Sequence, residues 1–365
     1  MWSAGFRPFF LGAAAWAAIA VPVWLAAYVH GYALRSMPAI FWHGHEMVYG
    51  FAMAAVAGFL LTAIPNWTGR LPVRGLPLAL LALLWLAGRI AMLVPGAALL
   101  DLAFPAALIV VVARELIAGR NWRNLPMLAA LALLFAGNLL FHLGIYAGLR
   151  LGIATLLMLI ALVGGRIVPS FTRNWLAKSR TGAALPAPEG WLDRAALLIT
   201  LAALGAWVVA DLTWPLVLAG TGLGLRLSRW RGLATVREPL LFILHVGYAW
   251  LALGLILLSL EVPSALHALT VGAVGTMTLA VMTRASLGHS GRALVADAVT
   301  RAIYVLITLA ALLRVLSPLA GAQTVLVTSL AGLAWSAAFA TFALHYGRFL
   351  LAAQRSGVKS ATGSS

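Results

Sequence analysis

Residues 42–70 read WHGHEMVYGFAMAAVAGFLLTAIPNWTGR, and this stretch decides the fold. From Met47 to Ile64 no residue carries a formal charge. That run is long enough to cross hydrocarbon, which takes roughly 20 apolar residues. At its head stand His43, His45 and Glu46. Lipid penalises an ionisable group by about 2.5 kcal/mol or more, so a span keeps one only where it faces protein or something the protein holds.

The same pattern recurs along the whole chain. Of 365 residues, 63% are hydrophobic and only 9% charged, with a mean hydropathy of +1.00. About twelve apolar segments are expected, at 9–29, 40–64, 76–94, 97–116, 124–147, 149–168, 194–210, 212–226, 239–260, 263–284, 298–317 and 322–350. They nearly exhaust the chain and leave no room for a soluble domain. The expected fold is therefore all-α, a polytopic membrane bundle forming one domain over 1–355, with 356–365 as a disordered tail. The polar stretch 173–194 reads as a loop, and the first span, which lacks a small-residue cleavage site, as retained.

A net charge of +16 would suggest nucleic acid as the partner of a soluble protein. Its distribution says otherwise. Numbering loops from an inside N-terminus, all of the 25 Lys and Arg fall on one side except Arg35, Arg89, Arg150 and Arg314. Positive residues stay cytoplasmic, so the charge reports topology: both termini inside, the lipid bilayer as partner and no nucleic acid. The chain has no cysteine, which excludes disulfides, iron–sulfur clusters and thiolate ligands. A metal would have to be held by histidine, carboxylate or methionine.

Two spans align without a gap. HEMVYGFAMAAVAGFLLTAIPNWTGR from His45 lies over HALTVGAVGTMTLAVMTRASLGHSGR from His267. His45 then matches His267, Gly50 matches Gly272, and Thr68–Gly69–Arg70 matches Ser290–Gly291–Arg292. A fainter copy ends the sixth span, where Pro65 meets Pro169, and the fifth and ninth spans align His142 with His245. Copies in spans 2, 6 and 10 imply three units of four helices.

Topology turns these positions into depths. At ~1.5 Å per residue, His45, His142 and His267 lie at one level a few ångströms beneath the outer surface. Histidines converging from facing helices are how bundles hold metals and haem. The repeat makes His45 and His267 the expected iron ligands, with His43 and His142 for a second centre and His245 as a further candidate. His43 and His45 are two residues apart, about 200° around a helix, so they point to opposite faces and could serve centres on either side. Glu46 falls on a third face and reads as a poor partner for His45. Arg89 and Arg314 end the spans that follow the two matched helices, against the positive-inside pattern. An anionic partner such as a haem propionate would explain them. Met47, Met53, Met92 and Met158 read as packing residues. Trp24, Trp42, Trp67, Trp122, Trp175 and Trp191 read as an interfacial belt, and GTGLG at 220–224 as a tightly packed span.

The opening GFRPFFLGAAAWA, the 42–70 segment, WLAGRIAM, GGRIVPSFTRNWL and VMTRASLGHSGR together resemble the NnrS family over nearly the whole chain. The resemblance implies a bacterial inner-membrane protein containing haem, here haem b, and copper. It also implies a role in the response to nitric oxide and nitrosative stress. A looser similarity links twelve spans in three four-helix units to haem–copper oxidase subunit I, whose HPEVY copper segment this chain lacks.

The expected function is thus to bind or transform nitric oxide or a nitrosyl species at histidine-held iron, with the electron donor unknown. An enzyme, a haem sensor and an electron-transfer module would share these features. A secondary transporter of a small solute or metal–nitrosyl complex is the alternative. Transporters, however, place their polar groups at the midplane of inverted repeats.

Overall fold

The computed structural model describes residues 1–34, 37–94, 97–179 and 182–352. The expected tail 356–365, the end of the expected domain at 353–355 and three of the arginines in the charge argument, Arg35, Arg180 and Arg355, lie outside them. The described chain is all-helical. Its helices are α1 (Phe6–His30), α2 (Ala39–Thr68), α3 (Leu76–Ala91), α4 (Ala98–Ala118), α5 (Leu125–His142), α6 (Ala147–Lys178), α7 (Trp191–Ala210), α8 (Leu216–Ser228), α9 (Pro239–Ser259), α10 (Ala265–His289) and α11 (Ala298–Leu351).

Eight of these are long and apolar enough to cross a membrane. The expectation of about twelve such spans is met only in part, for identifiable reasons. Helices α3 and α8 are apolar but have 16 and 13 residues. Helix α4 carries Asp101, Arg114 and Glu115. The two last expected spans form one 54-residue run, α11. At ~1.5 Å per residue it would be more than twice the roughly 30 Å of hydrocarbon if straight. It is not straight: Gly321 breaks it with φ 53° and ψ −121°. The arms Ala298–Leu316 and Thr324–Leu351 pack along each other.

In hydrocarbon every backbone group needs an internal partner, so the segments become helices, and local residues fix where they begin and end. Pro77, Pro126 and Pro239 occupy the first turns of α3, α5 and α9, where a missing N–H leaves nothing unsatisfied. Gly31 and Gly69 close α1 and α2 in left-handed conformations. The Asp297 carboxylate accepts from the Thr300 backbone N–H at 2.8 Å and opens α11.

Successive helices pack as neighbours, and α1 packs against the second arm of α11, which closes the ring. Arg7 in α1 donates to Leu350 O at 3.1 Å and to Ala352 O, so both ends of the described chain lie at one face of the bundle. Helices α2, α6 and α10, spaced four apart, touch one another in the middle. Their apolar windows are 72, 56 and 67% buried, against 33% for α7.

Each of the three central helices contains a π-helical turn: Glu46–Ala52, Ile160–Gly164 and Ala268–Gly275. The alignment of His45 on His267 lays the first of these directly over the third. Such turns insert a residue into the helical ladder and gather at functional sites. The matched Gly50 and Gly272 both lie inside them. Gly50 carries Trp85 on its carbonyl, Nε1 to O 2.9 Å, and Gly272 packs against the Trp250 ring. GTGLG behaves as read: a Cβ on Gly220 would lie 2.6 Å from Ala252 O of α9. The tryptophan belt holds for Trp122 and Trp191, which are exposed, but Trp24 and Trp42 are buried. Their rings serve the interior.

Candidate metal and cofactor sites

Two sites flank the head of α2, both at the face away from the chain ends. The first is a sealed polar cluster. His45, Glu46, Arg89, Asp101 and Asn138, from four different helices, are each no more than 2% exposed. Arg89 donates to Glu46 Oε2 at 2.6 Å and also pairs with Asp101 Oδ1. Trp16 Nε1 donates to the same Glu46 oxygen at 2.7 Å. His45 Nδ1 lies 2.9 Å from Glu46 Oε1. Its Nε2 lies 3.1 Å from Asp101 Oδ2 and 2.9 Å from Asn138 Oδ1. His142 Nε2 reaches Asp101 Oδ2 at 2.9 Å, and Asn138 Nδ2 donates to that oxygen at 2.8 Å.

The charge balance has a consequence. Two carboxylates and one guanidinium leave the cluster at −1 while both imidazoles are neutral. Each ring nitrogen of His45 faces acceptor oxygens, so something electropositive belongs there: a proton on each nitrogen, or a metal ion on one of them. His45, Asp101 and His142 offer one ligand atom each, all within 4.8 Å of one another, as a metal ion would require.

The second site is a cavity of about 450 Å³ between α1, α2, α6, α10 and both arms of α11. His43, His267 and Arg314 line it, among mostly apolar walls that include Trp24 and Trp335. Its size falls within the roughly 300–1,000 Å³ of small-molecule and cofactor sites. The Nδ1 atoms of His43 and His267 are buried and without a hydrogen-bond partner. Trp24 stacks on the His43 ring, centroids 4.2 Å apart at 25°. Arg314 donates to Ser264 Oγ at 2.8 Å and Ser317 Oγ at 3.0 Å, and no carboxylate bonds to it among the described residues. An unpaired guanidinium at the wall of an apolar cavity calls for an anion.

The structure groups the expected residues differently from the repeat. His267 shares its cavity with His43, and His45 is engaged across the helix on the other side. The reason is the 200° step between positions 43 and 45. The repeat aligns His45 with His267 in sequence, yet the two rings serve different neighbours. His142 joins His45 through Asp101 and does not join His43. Glu46 touches His45 directly, its Oε1 reaching Nδ1, while its other oxygen takes Arg89 and Trp16. Arg89 is not waiting for a propionate, since Glu46 and Asp101 already neutralise it. His245 is brought to neither site: Nδ1 lies 3.1 Å from Leu241 O and Nε2 3.3 Å from Thr172 Oγ1.

Asp101 and Asn138 are not among the site residues expected from the sequence. The signal was present. Each is a lone polar residue inside an apolar helix, in ALLDLAF and FAGNLLF, and such residues face the interior.

Fold and sites together define an all-helical protein with eight helices long and apolar enough to cross a membrane and a His45–Asp101–His142 group that could hold a metal ion. The chain belongs to the NnrS family: the profile of that family, described as NnrS protein, matches residues 1–354. No curated protein matches the chain.

Proposed function

We propose that this chain is a haem b protein of the bacterial inner membrane that binds or transforms nitric oxide or a nitrosyl species. In this reading it crosses the bilayer twelve times as one domain, 1–355, with both termini cytoplasmic. Its α11 counts as two crossings joined at Gly321, and α3, α4 and α8 cross as shorter or more polar helices that the bundle shelters.

One observation carries the reading. His43 and His267 bring partnerless imidazole nitrogens to a single apolar cavity whose wall holds an unneutralised Arg314. Those residues fit haem: two imidazoles able to approach iron, and a guanidinium for a propionate. Haem, when bound, would supply an iron that takes a diatomic gas. The chain's own contribution is to orient His43 against Trp24, to offset propionate charge with Arg314 and to exclude water with apolar walls. An uncharged gas partitions favourably into such apolar surroundings.

The neighbouring group of His45, Asp101 and His142 supports a second reading, as the copper site the family implies. At −1 with neutral imidazoles, it would be balanced by a monovalent cation such as Cu(I). Without the metal, the same residues would hold a proton beside the haem cavity.

The test is an optical spectrum of the purified protein with a pyridine haemochrome assay. A Soret band with reduced b-type peaks is expected, lost in His43→Ala and in His267→Ala. A colourless wild type that moves a solute across proteoliposomes would replace this reading with that of a transporter.

A further inference from the structure

Three cavities lie end to end along the middle of the bundle. Leu156 and Val274 wall both the His43–His267 cavity and a narrower one of about 110 Å³. Phe10, Phe59, Ile167 and Val281 wall that waist and also a third cavity of about 340 Å³. The third cavity lies toward the face that carries the chain ends, where Arg284, His289 and the exposed Asn66 line it.

The waist is built by the central helices at their irregular turns. Ala52, Ile160 and Val274 come one from each of the three π-helical segments. Small residues face larger ones there: a Cβ on Gly164 would lie 3.2 Å from the Met277 methyl. Among the residues lining the waist, Thr278 alone has a hydroxyl, amide or charged side chain. An apolar cavity of this size stays dry, yet accepts benzene or xenon. An ion would lose its hydration with nothing in return. Polar groups therefore mark both ends of the series and apolar ones its middle.

We infer that these cavities form a passage for a small uncharged molecule, of the size and polarity of a diatomic gas, between the His43–His267 cavity and the face of the chain termini. The waist admits such a molecule and turns back water and ions. The destination of the passage rests on the haem reading above; the passage itself does not.

Xenon-pressurised crystals of the wild-type protein test the passage without any haem. Xenon is expected in the waist, between Phe59 and Val274. Haem-loaded protein then tests the route through carbon monoxide rebinding after flash photolysis. Ala55→Trp and Val281→Trp place an indole in the waist, away from the histidines. Each should slow association about tenfold or more, as a barrier on the approach does. Equilibrium affinity should stay unchanged, because a plug slows entry and escape alike. Val209→Trp, at a lipid-facing position, should change neither. Ordered water in the waist in place of xenon would overturn the inference, as would wild-type association rates in both plugged variants. A wild type that takes up xenon but contains no haem would remove the haem reading and leave the passage standing.

Discussion

His43 and His45 stand two residues apart on α2 and face away from each other. One lines an apolar cavity with His267; the other is locked between Glu46 and Asp101. The second turn of a single helix is thus the wall between two chemically different compartments.

That division predicts separable losses. His142→Ala removes a ligand atom from the Asp101 group and leaves the cavity intact. Copper per chain, measured by mass spectrometry, should fall while the Soret band remains. Arg314→Gln should do the reverse, lowering haem retention on dilution with copper unchanged. A variant that loses both groups together would merge the two compartments into one.

Arg89 holds two carboxylates that lipid and protein have stripped of water. Arg89→Leu leaves Glu46 and Asp101 buried without their guanidinium counter-charge, which costs about 3–5 kcal/mol. Lysine should not rescue it, since a point charge cannot span both partners as the planar fork does. Unfolding midpoints in detergent measure the loss. Adding Glu46→Gln to Arg89→Leu should recover part of it, the mark of directly coupled residues.

Gly50 sits where the cluster meets its own helix. A Cβ there would lie 2.6 Å from an Arg89 nitrogen, 2.7 Å from Glu46 Oε2 and 2.9 Å from Trp16 Nε1. Gly50→Ala should cost about 1–3 kcal/mol, in the range of core overpacking. Gly205, on α7, has open space around it. Gly205→Ala should therefore be neutral or mildly stabilising by about 0.4–1 kcal/mol, and thermal midpoints compare the two.

Asp297 gives the chain a pH-dependent helix start. Partial burial would raise its carboxyl pKa, but the Thr300 N–H and hydroxyl, and then His345, outweigh burial and hold it below the usual value. A carboxylate depressed in the folded state adds stability that is complete above its unfolded pKa of about 3.9. That stability is lost as pH falls through the folded value. Asp297→Ala should thus lower stability by about 1 kcal/mol near neutral pH. The gap to wild type should shrink on acidification below about pH 4, as melting curves at several pH values would record.

Hydropathy made the helices legible, because a bilayer imposes one solution on an apolar backbone. It could not say which segments fall short, since α3 and α8 differ from full-length helices only at their ends. The repeat correctly pointed to spans 2, 6 and 10, which are the central helices and carry the π-helical turns. It failed for the partners of individual rings. Sequence alignment matches backbone positions, while the partners of a side chain depend on which neighbouring helices pack against that face: α4 and α5 supply them for His45, and α11 brings Arg314 to the cavity of His267. Asp101 and Asn138 escaped because single polar residues look alike whether they meet a metal or a neighbour.

The bond from Arg7 to the carbonyl ends of Leu350 and Ala352, with Trp335 Nε1 on Ala17 O at 3.1 Å, ties α1 to the second arm of α11, with nine described helices between them in sequence. Helix α1 therefore meets this partner only after the helices between them have been made. Loss of Trp335 and the residues after it would leave the ring of helices open and take one wall from the His43–His267 cavity.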